Sequence, residues 1–320
     1  MRVETFGSAH AQEWDGFCSR AANGTFQHTR KFLSYHRDRF VDASVLIFDE
    51  ADRLIGLLPA ARDPRDATRV VSHPGATYGG LVHEGRLNGA RMLQAMVALR
   101  TYYTGLGVRA LRYKCVPQIH RRQPAEDDVY ALWRQGAELG RCDLSCALDL
   151  QDRRQPSERR RRGLKKAEKV VVVSADEGNL AALWQVVVDN LAREHGASPV
   201  HSLSELEELR QLFPFQIQLR CALLDGQVVA GVVFFNAGPS WHAQYIAADE
   251  KAYEVSALDA VFEAAINDAR VAGARWFDFG TSNESEGRVL NDDLYRYKAE
   301  HGGGGIAHLT FDLNLGQGAP

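Results

Sequence analysis

Two stretches of this chain repeat one order of elements, and that repetition limits the possible folds more than any single motif does. In the first stretch, the apolar runs 44–48 and 54–60 flank the polar turn 49–52 and read as a β-hairpin. A helix with apolar residues at Met92, Leu93, Met96, Val97 and Leu99 follows, and residues 106–113 close the segment as a turn entering a strand. In the second stretch, runs 219–224 and 228–235 flank Asp225-Gly226, a strong signal for a tight hairpin turn. Residues 241–247 then read as a third strand and 255–272 as a long amphipathic helix, with 272–279 closing the segment. Both closing segments carry Gly-x-Arg and an aromatic four residues after the arginine: Gly107, Arg109 and Tyr113 against Gly273, Arg275 and Phe279. Gly56 and Gly231 occupy matching places in the two hairpins. A repeat far longer than a solenoid unit implies a duplicated α/β domain.

Outside the repeat, the pattern predicts a strand near residues 2–6, a helix capped by Ser8 and a helix over 29–39. The polar stretch 151–156 ends in Pro156, as a linker or helix entry does. Ser157 and Glu158 then open a helix expected to run through Lys169. The expected division is therefore 1–150 and 151–320, with room for the last strand to return to the first domain.

Composition closes off several function classes. A formal net charge of -3 gives no global attraction to DNA or anionic lipid, so any basic site must be local. No uninterrupted apolar stretch reaches spanning length, which excludes membrane insertion on pattern. The first residues lack the apolar core of a signal peptide, so the expected location is the cytoplasm. Five scattered cysteines, of which only Cys142 and Cys146 lie close, complete no zinc pattern; reduced core thiols and no metal are expected.

Hairpin, strand, helix, strand is the central unit of the GNAT acetyltransferase superfamily. Several stretches are similar to the Fem-type branch associated with polysaccharide and cell-envelope synthesis. They are 72–80, with His73, Tyr78 and three glycines; 124–132; Arg193-Glu194-His195-Gly196 with His201; 277–282, around Asp278; and 290–298, with Asn291 and Lys298. The resemblance covers nearly the whole chain and implies two tandem GNAT domains, each a mixed β-sheet flanked by helices. It also implies an acyltransferase whose donor is acetyl- or another acyl-coenzyme A, held on N–H groups at a helix start. Residues 255–257 (Val255, Ser256 and Ala257) stand at that place. The usual Gln/Arg-x-x-Gly-x-Gly/Ala mark is missing from both halves, which keeps an aminoacyl-tRNA donor open.

Acyl transfer to an amine needs a base, an oxyanion partner and a proton for the leaving group. Asp278, at the end of its strand, and His242 are the candidate bases; the alternative for Asp278 is an N-cap or an ion pair with Arg275 or Lys298, and for His242 a satisfied core histidine. Strict alternation would place His242 and Gln244 on one strand face, with Tyr245 beside them. Glu194, His195, His201, Glu284, Arg288, Asn291 and Lys298 are candidate substrate contacts on the loops and helices around them. His73 and Tyr78 sit in a loop whose glycines would let a backbone approach a ligand. Seven cations, Arg159, Arg160, Arg161, Arg162, Lys165, Lys166 and Lys169, crowd one helix; Arg159 and Arg162 are the candidates for holding donor phosphates.

The function taken forward is N-acylation of a nucleotide-linked amino sugar by acyl-coenzyme A, feeding a surface polysaccharide. The alternatives are aminoacyl transfer from tRNA to a cell-wall or sugar acceptor, and a non-catalytic protein that binds a sugar nucleotide. Nothing in the sequence fixes the oligomeric state.

Overall fold

The computed structural model describes residues 1–316, apart from the side chain of His195. The chain divides into two compact units: unit 1 holds Met1–Asp143, Ser285–Val289 and the segment from Ala307 onward, and unit 2 holds Leu144–Glu284 and Leu290–Ile306. The sequence places the join at 150/151; the units part seven residues earlier, at 143/144, and unit 1 takes back the end of the chain.

In unit 1, β1 (Arg2–Thr5), β2 (Val45–Phe48) and β3 (Leu54–Leu58) form an antiparallel sheet. The runs in β2 and β3 are apolar without alternation because both faces are covered. Val45 and Ile47 join one core with Met92, Met96 and Leu99, while Leu46 and Phe48 join another with Trp14 and Phe17. Strands β4 (Ala61–Asp63), β5 (Asp66–Val71) and β6 (Ala110–Lys114) form a second sheet, in which β5 and β6 run parallel. Helix α1 covers Ala11–Arg20, and α3 (Ala90–Gly105) is the crossover between β5 and β6. Two expectations are corrected here. Ser8 opens a short 3-10 turn rather than α1, and the helix expected over 29–39 is only α2 (Arg30–Leu33), capped by Thr29. A 3-10 turn follows α2 and ends at Arg37, whose φ of 51° cannot continue a helix. Helix α4 covers Asp127–Arg134.

Unit 2 is built on β7 (Glu138–Asp149), β8 (Val171–Ser174), β9 (Ile217–Leu224), β10 (Gln227–Asn236), β11 (Ser240–Ala248) and β12 (Trp276–Thr281). From residue 144 on, β7 pairs antiparallel with β12, which pairs parallel with β11; β11, β10, β9 and β8 continue antiparallel. Asp225 and Gly226 both take positive φ, as an Asp-Gly hairpin turn requires. The helices are α5 (Glu158–Ala167), α6 (Leu180–His195), α7 (Leu203–Leu212), α8 (Glu250–Val255), α9 (Ala257–Val271) and α10 (Asp292–Ala299). The final strand, β13, spans Gly304–Asn314, and in unit 1 its residues 310–314 pair with β6. The helix expected over 255–272 is broken at its start because Ser256 is left-handed (φ 59°, ψ 39°), and the basic helix stops at Ala167 rather than Lys169. Val261, Phe262, Ala265 and Ile266 of α9 pack on Val232, Phe234, Trp241, Phe277 and Phe279 to form the core of unit 2.

The repeated glycines have the same physical role in both units. Gly107 (φ 73°) and Gly273 (φ 81°) end the crossover helix in the left-handed region just before the closing strand. A Cβ on Gly56 or Gly231 would lie 2.8 or 2.7 Å from a leucine side chain, so each hairpin glycine admits a close neighbour. No helix among the described residues is long and apolar enough to cross a membrane.

Candidate active site

Strands β11 and β12 pair over three positions, ending at His242 opposite Asp278. Gly280 (φ 77°) turns β12 at that point; a Cβ there would meet His242 Cε1 at 3.3 Å. Asp278 is fully buried. Its Oδ2 lies 2.7 Å from His242 Nδ1, and its Oδ1 accepts the Ser145 hydroxyl and the Gly280 N–H, the latter at 3.0 Å. The two candidate bases are thus one dyad, whereas Arg275 pairs with Asp149 at 3.2 Å. Holding Nδ1 against a carboxylate fixes the imidazole tautomer and orientation.

Lys298, on α10, is 3% exposed and donates to the carbonyls of Gly280 (3.0 Å) and Thr281 (2.6 Å), just beyond the dyad. Burial lowers its pKa to about 8, with the Asp278 charge working the other way. The helix is started by Asn291, whose Oδ1 accepts Leu294 N–H at 3.0 Å and whose amide donates to the exposed Glu284 at 2.9 Å. Burial pushes the neighbouring Cys146 thiol up to about 12, which suits a core thiol and not a nucleophile.

Lys298 also lines a cleft of about 820 Å³ within unit 2. Helix α5 supplies Arg159, Arg162, Gly163 and Lys166, and α6 supplies Asn190 and Glu194. The end of β11 (Ile246, Ala247 and Ala248), Ser256 with Leu258 and Asp259 of α9, and Asn291, Leu294 and Tyr297 complete much of the wall. Arg160 is held 2.6 Å from Asp259 and 3.1 Å from Glu300, with its guanidinium 4.6 Å from the Tyr297 ring centre. Burial raises the Asp259 pKa to about 6, against the pull of Arg160.

Gly163 explains itself here. A glycine inside an exposed helix costs about 1 kcal/mol relative to alanine, but a Cβ at 163 would stand 1.9 Å from Asp259 Oδ2 and 3.3 Å from Ser256 Cβ. The clash outweighs the propensity. Gly163→Ala is expected to lower unfolding free energy by about 1–3 kcal/mol, measured by urea titration; a stabilised variant would contradict this packing.

Of the residues singled out in the sequence, Arg159, Arg162, Glu194, Ser256, Asn291 and Lys298 converge on this cleft, and His242 and Asp278 form the dyad. Val255 packs on the core and Ala257 is fully buried in it. His201 Nδ1 meets the Tyr245 hydroxyl at 2.5 Å, with Trp184 edge-on to the Tyr245 ring; burial raises Tyr245 to about 12. Strict alternation along β11 is interrupted by a bulge: Ala243 and Tyr245 pair with Phe234 and Val233, and Gln244 is the extra residue. Trp241, Ala243, Ile246 and Ala248 consequently share one core, and Tyr245 faces the other way. The His195 side chain is outside the described residues.

In unit 1, the glycines of the 72–80 loop are accounted for by the protein's own packing. Added Cβ atoms at Gly75, Gly79 and Gly80 would strike His36, Ser72 and Tyr113. Tyr78 is buried, stacked on His120, and its hydroxyl lies 3.3 Å from Thr25 Oγ1. His73 is buried at φ 57° beside His36, and burial lowers its pKa to about 3. Arg288 is exposed and belongs to unit 1. Sequence reasoning missed Ser145, Asn190, Asp259 and Tyr297; the one available signal was Gly163, isolated among cations.

Residues 151–299 match the family described as acetyltransferase (GNAT) domain. No curated protein matches the sequence. Among solved structures, FemX is similar over 98% of this chain and 97% of its own, with 12% identity and a TM-score of 0.70. L-PGS from Bacillus licheniformis is similar over 97% and 93%, with 12% identity and a TM-score of 0.63. A tandem GNAT protein from the clavulanic acid biosynthesis pathway is similar over 99% and 100%, with 12% identity and a TM-score of 0.53. At such identity these likenesses are of fold. Residues 151–299 thus match an acetyltransferase (GNAT) domain, and the chain as a whole has the fold seen in FemX and in the tandem GNAT protein.

Proposed function

We propose that this chain moves an acyl group from acyl-coenzyme A to the primary amine of a nucleotide-linked amino sugar, in the cytoplasm and for a surface polysaccharide. The observation that carries this reading is Lys298, which belongs both to the wall of a cation-lined cleft and to the strand end that holds the His242–Asp278 dyad. Arg159, Arg162 and Lys166 take the donor phosphates by charge-assisted bonds. The departure of β12 from β11 after His242 leaves strand backbone to face the donor carbonyl, and the Lys298 ammonium adds charge where the oxyanion grows. His242 removes the amine proton, and Asp278 steadies the imidazolium. The new bond is N–C, the broken bond is C–S, and the coenzyme leaves as its thiol with the proton from the dyad.

A second reading, an aminoacyl-tRNA donor with a cell-wall or sugar acceptor, is favoured by one observation: the first turn of α9 holds the Asp259 carboxylate where a diphosphate would sit. Mass spectrometry of reactions with isotopically labelled acetyl-coenzyme A and a panel of nucleotide amino sugars tests the first reading. A labelled amide product supports it. Absence of product with every amine, together with product from aminoacyl-tRNA, rejects it in favour of the second.

A further inference from the structure

Two carboxylates line a cleft whose other charged groups are cations. Asp259 is held by one of those cations, Arg160, at 2.6 Å. Glu194, near the end of α6, is exposed and is bonded instead by the neighbouring Arg193 at 2.9 Å. The same guanidinium donates to the Ala248 carbonyl at 3.2 Å and reaches the Tyr253 hydroxyl. One arginine thus ties the ends of α6 and β11 to α8, and it sets Glu194 and Tyr253 in one corner of the cleft. Tyr253 lines the cleft yet is 57% exposed. Its neighbours on α8 turn it outward, since Ala252 is buried and Val255 packs on the core. Helix α8 also packs beside α5, which carries the phosphate-binding cations Arg159, Arg162 and Lys166. An aromatic face left bare at the rim of a cationic cleft, and held by its own hydroxyl, is a surface on which a planar base can stack. A carboxylate in that corner weakens phosphate binding by its charge. Its use therefore lies with a part of the ligand that donates N–H.

We infer that Tyr253 is the stacking platform for the nucleobase of the ligand whose phosphates Arg159, Arg162 and Lys166 hold, and that Glu194 accepts the amino group on the edge of that base. The inference rests on reading the cleft as the donor site. The base is then adenine, because an adenosine carries the phosphates of coenzyme A and an adenosine also ends an aminoacyl-tRNA. The ring covers Tyr253 and removes that apolar face from water, while the exocyclic amine donates to Glu194. The corner therefore selects the carrier rather than the acyl group.

The test is calorimetric titration of the full chain with AMP, with purine riboside 5′-monophosphate, which lacks the amine, and with ribose 5-phosphate, which lacks the base. AMP is expected to bind about fivefold or more tighter than ribose 5-phosphate. It is expected to bind about threefold or more tighter than purine riboside 5′-monophosphate. Tyr253→Ala should bring AMP within about twofold of ribose 5-phosphate, while Tyr253→Phe, which keeps the ring, should retain most of the preference. Glu194→Leu should erase the difference between the two purines and leave the gain from the base. Both side chains are exposed, so these variants are expected to fold. A base preference that is absent from the parent, or that survives Tyr253→Ala, overturns the platform. An amine preference that survives Glu194→Leu overturns the role of that carboxylate. No binding of any probe contradicts the donor-site reading and the inference with it. Ribose 5-phosphate binding that depends on Arg159, Arg162 and Lys166, with no gain from the base, removes only the Tyr253 corner. Acetyl-coenzyme A and a non-hydrolysable 3′-aminoacylamino analogue of AMP then identify the source. The carrier is the one whose affinity falls about fivefold or more with Tyr253→Ala, and if neither falls the inference fails.

Discussion

His242→Ala is expected to slow acyl transfer by about 10²–10⁴-fold with little change in KM, because the imidazole belongs to the dyad and not to the cleft wall. Asp278→Asn should fall in the same range. An amide in place of the carboxylate no longer fixes Nδ1 as the proton-bearing edge, and the Ser145 and Gly280 donors lose a charged acceptor. The two losses should be far from additive, since the side chains act as one unit. Steady-state kinetics of the two single variants and the double variant measure this. A His242→Ala enzyme within threefold of the parent would assign the proton transfer elsewhere and reduce the dyad to a packing element.

Phe262→Ala is expected to cost about 3–5 kcal/mol of stability, read by urea unfolding. Its ring is fully buried and meets Phe279 at 4.8 Å, Phe277 at 6.3 Å, His301 at 5.3 Å and Tyr297 at 6.4 Å. That one side chain therefore fixes α9, the strand that bears Asp278, and the part of α10 that bears Lys298. The void would loosen the carbonyls that hold the ammonium, so activity should fall along with stability. A loss below about 1 kcal/mol would mean that the surrounding core collapses into the gap.

The architecture was legible where local chemistry decides it. Both hairpins, the β11 strand and the two crossover helices follow from apolar runs, the Asp-Gly turn and the paired glycines at 107 and 273, all set by near neighbours in sequence. His242 and Asp278 were visible as candidates, but their union was not, since it depends on a parallel register between residues 36 apart. Ser145 was invisible for the same reason, 133 residues from its partner. The Gln244 bulge and the left-handed Ser256 defeated simple periodicity, which assumes an unbroken strand and an unbroken helix. The loop 72–80 misled in another way. Its glycines signal close approach correctly, and the approaching groups are His36, Ser72 and Tyr113. Asp259 carries no mark in the sequence, because Gly163 and Arg160 come against it only in three dimensions.

The most direct test of the central claim, that the unit 2 cleft holds the activated donor by its α5 cations, is calorimetric titration of acetyl-coenzyme A into the purified chain. The parallel sample is a variant with Arg159, Arg162 and Lys166 replaced by alanine. The expected result is saturable binding at one site per chain, weakened about tenfold or more in the variant and falling with added salt. Binding that ignores both the substitutions and the salt would place the donor elsewhere. No binding at all would exclude coenzyme A as its carrier.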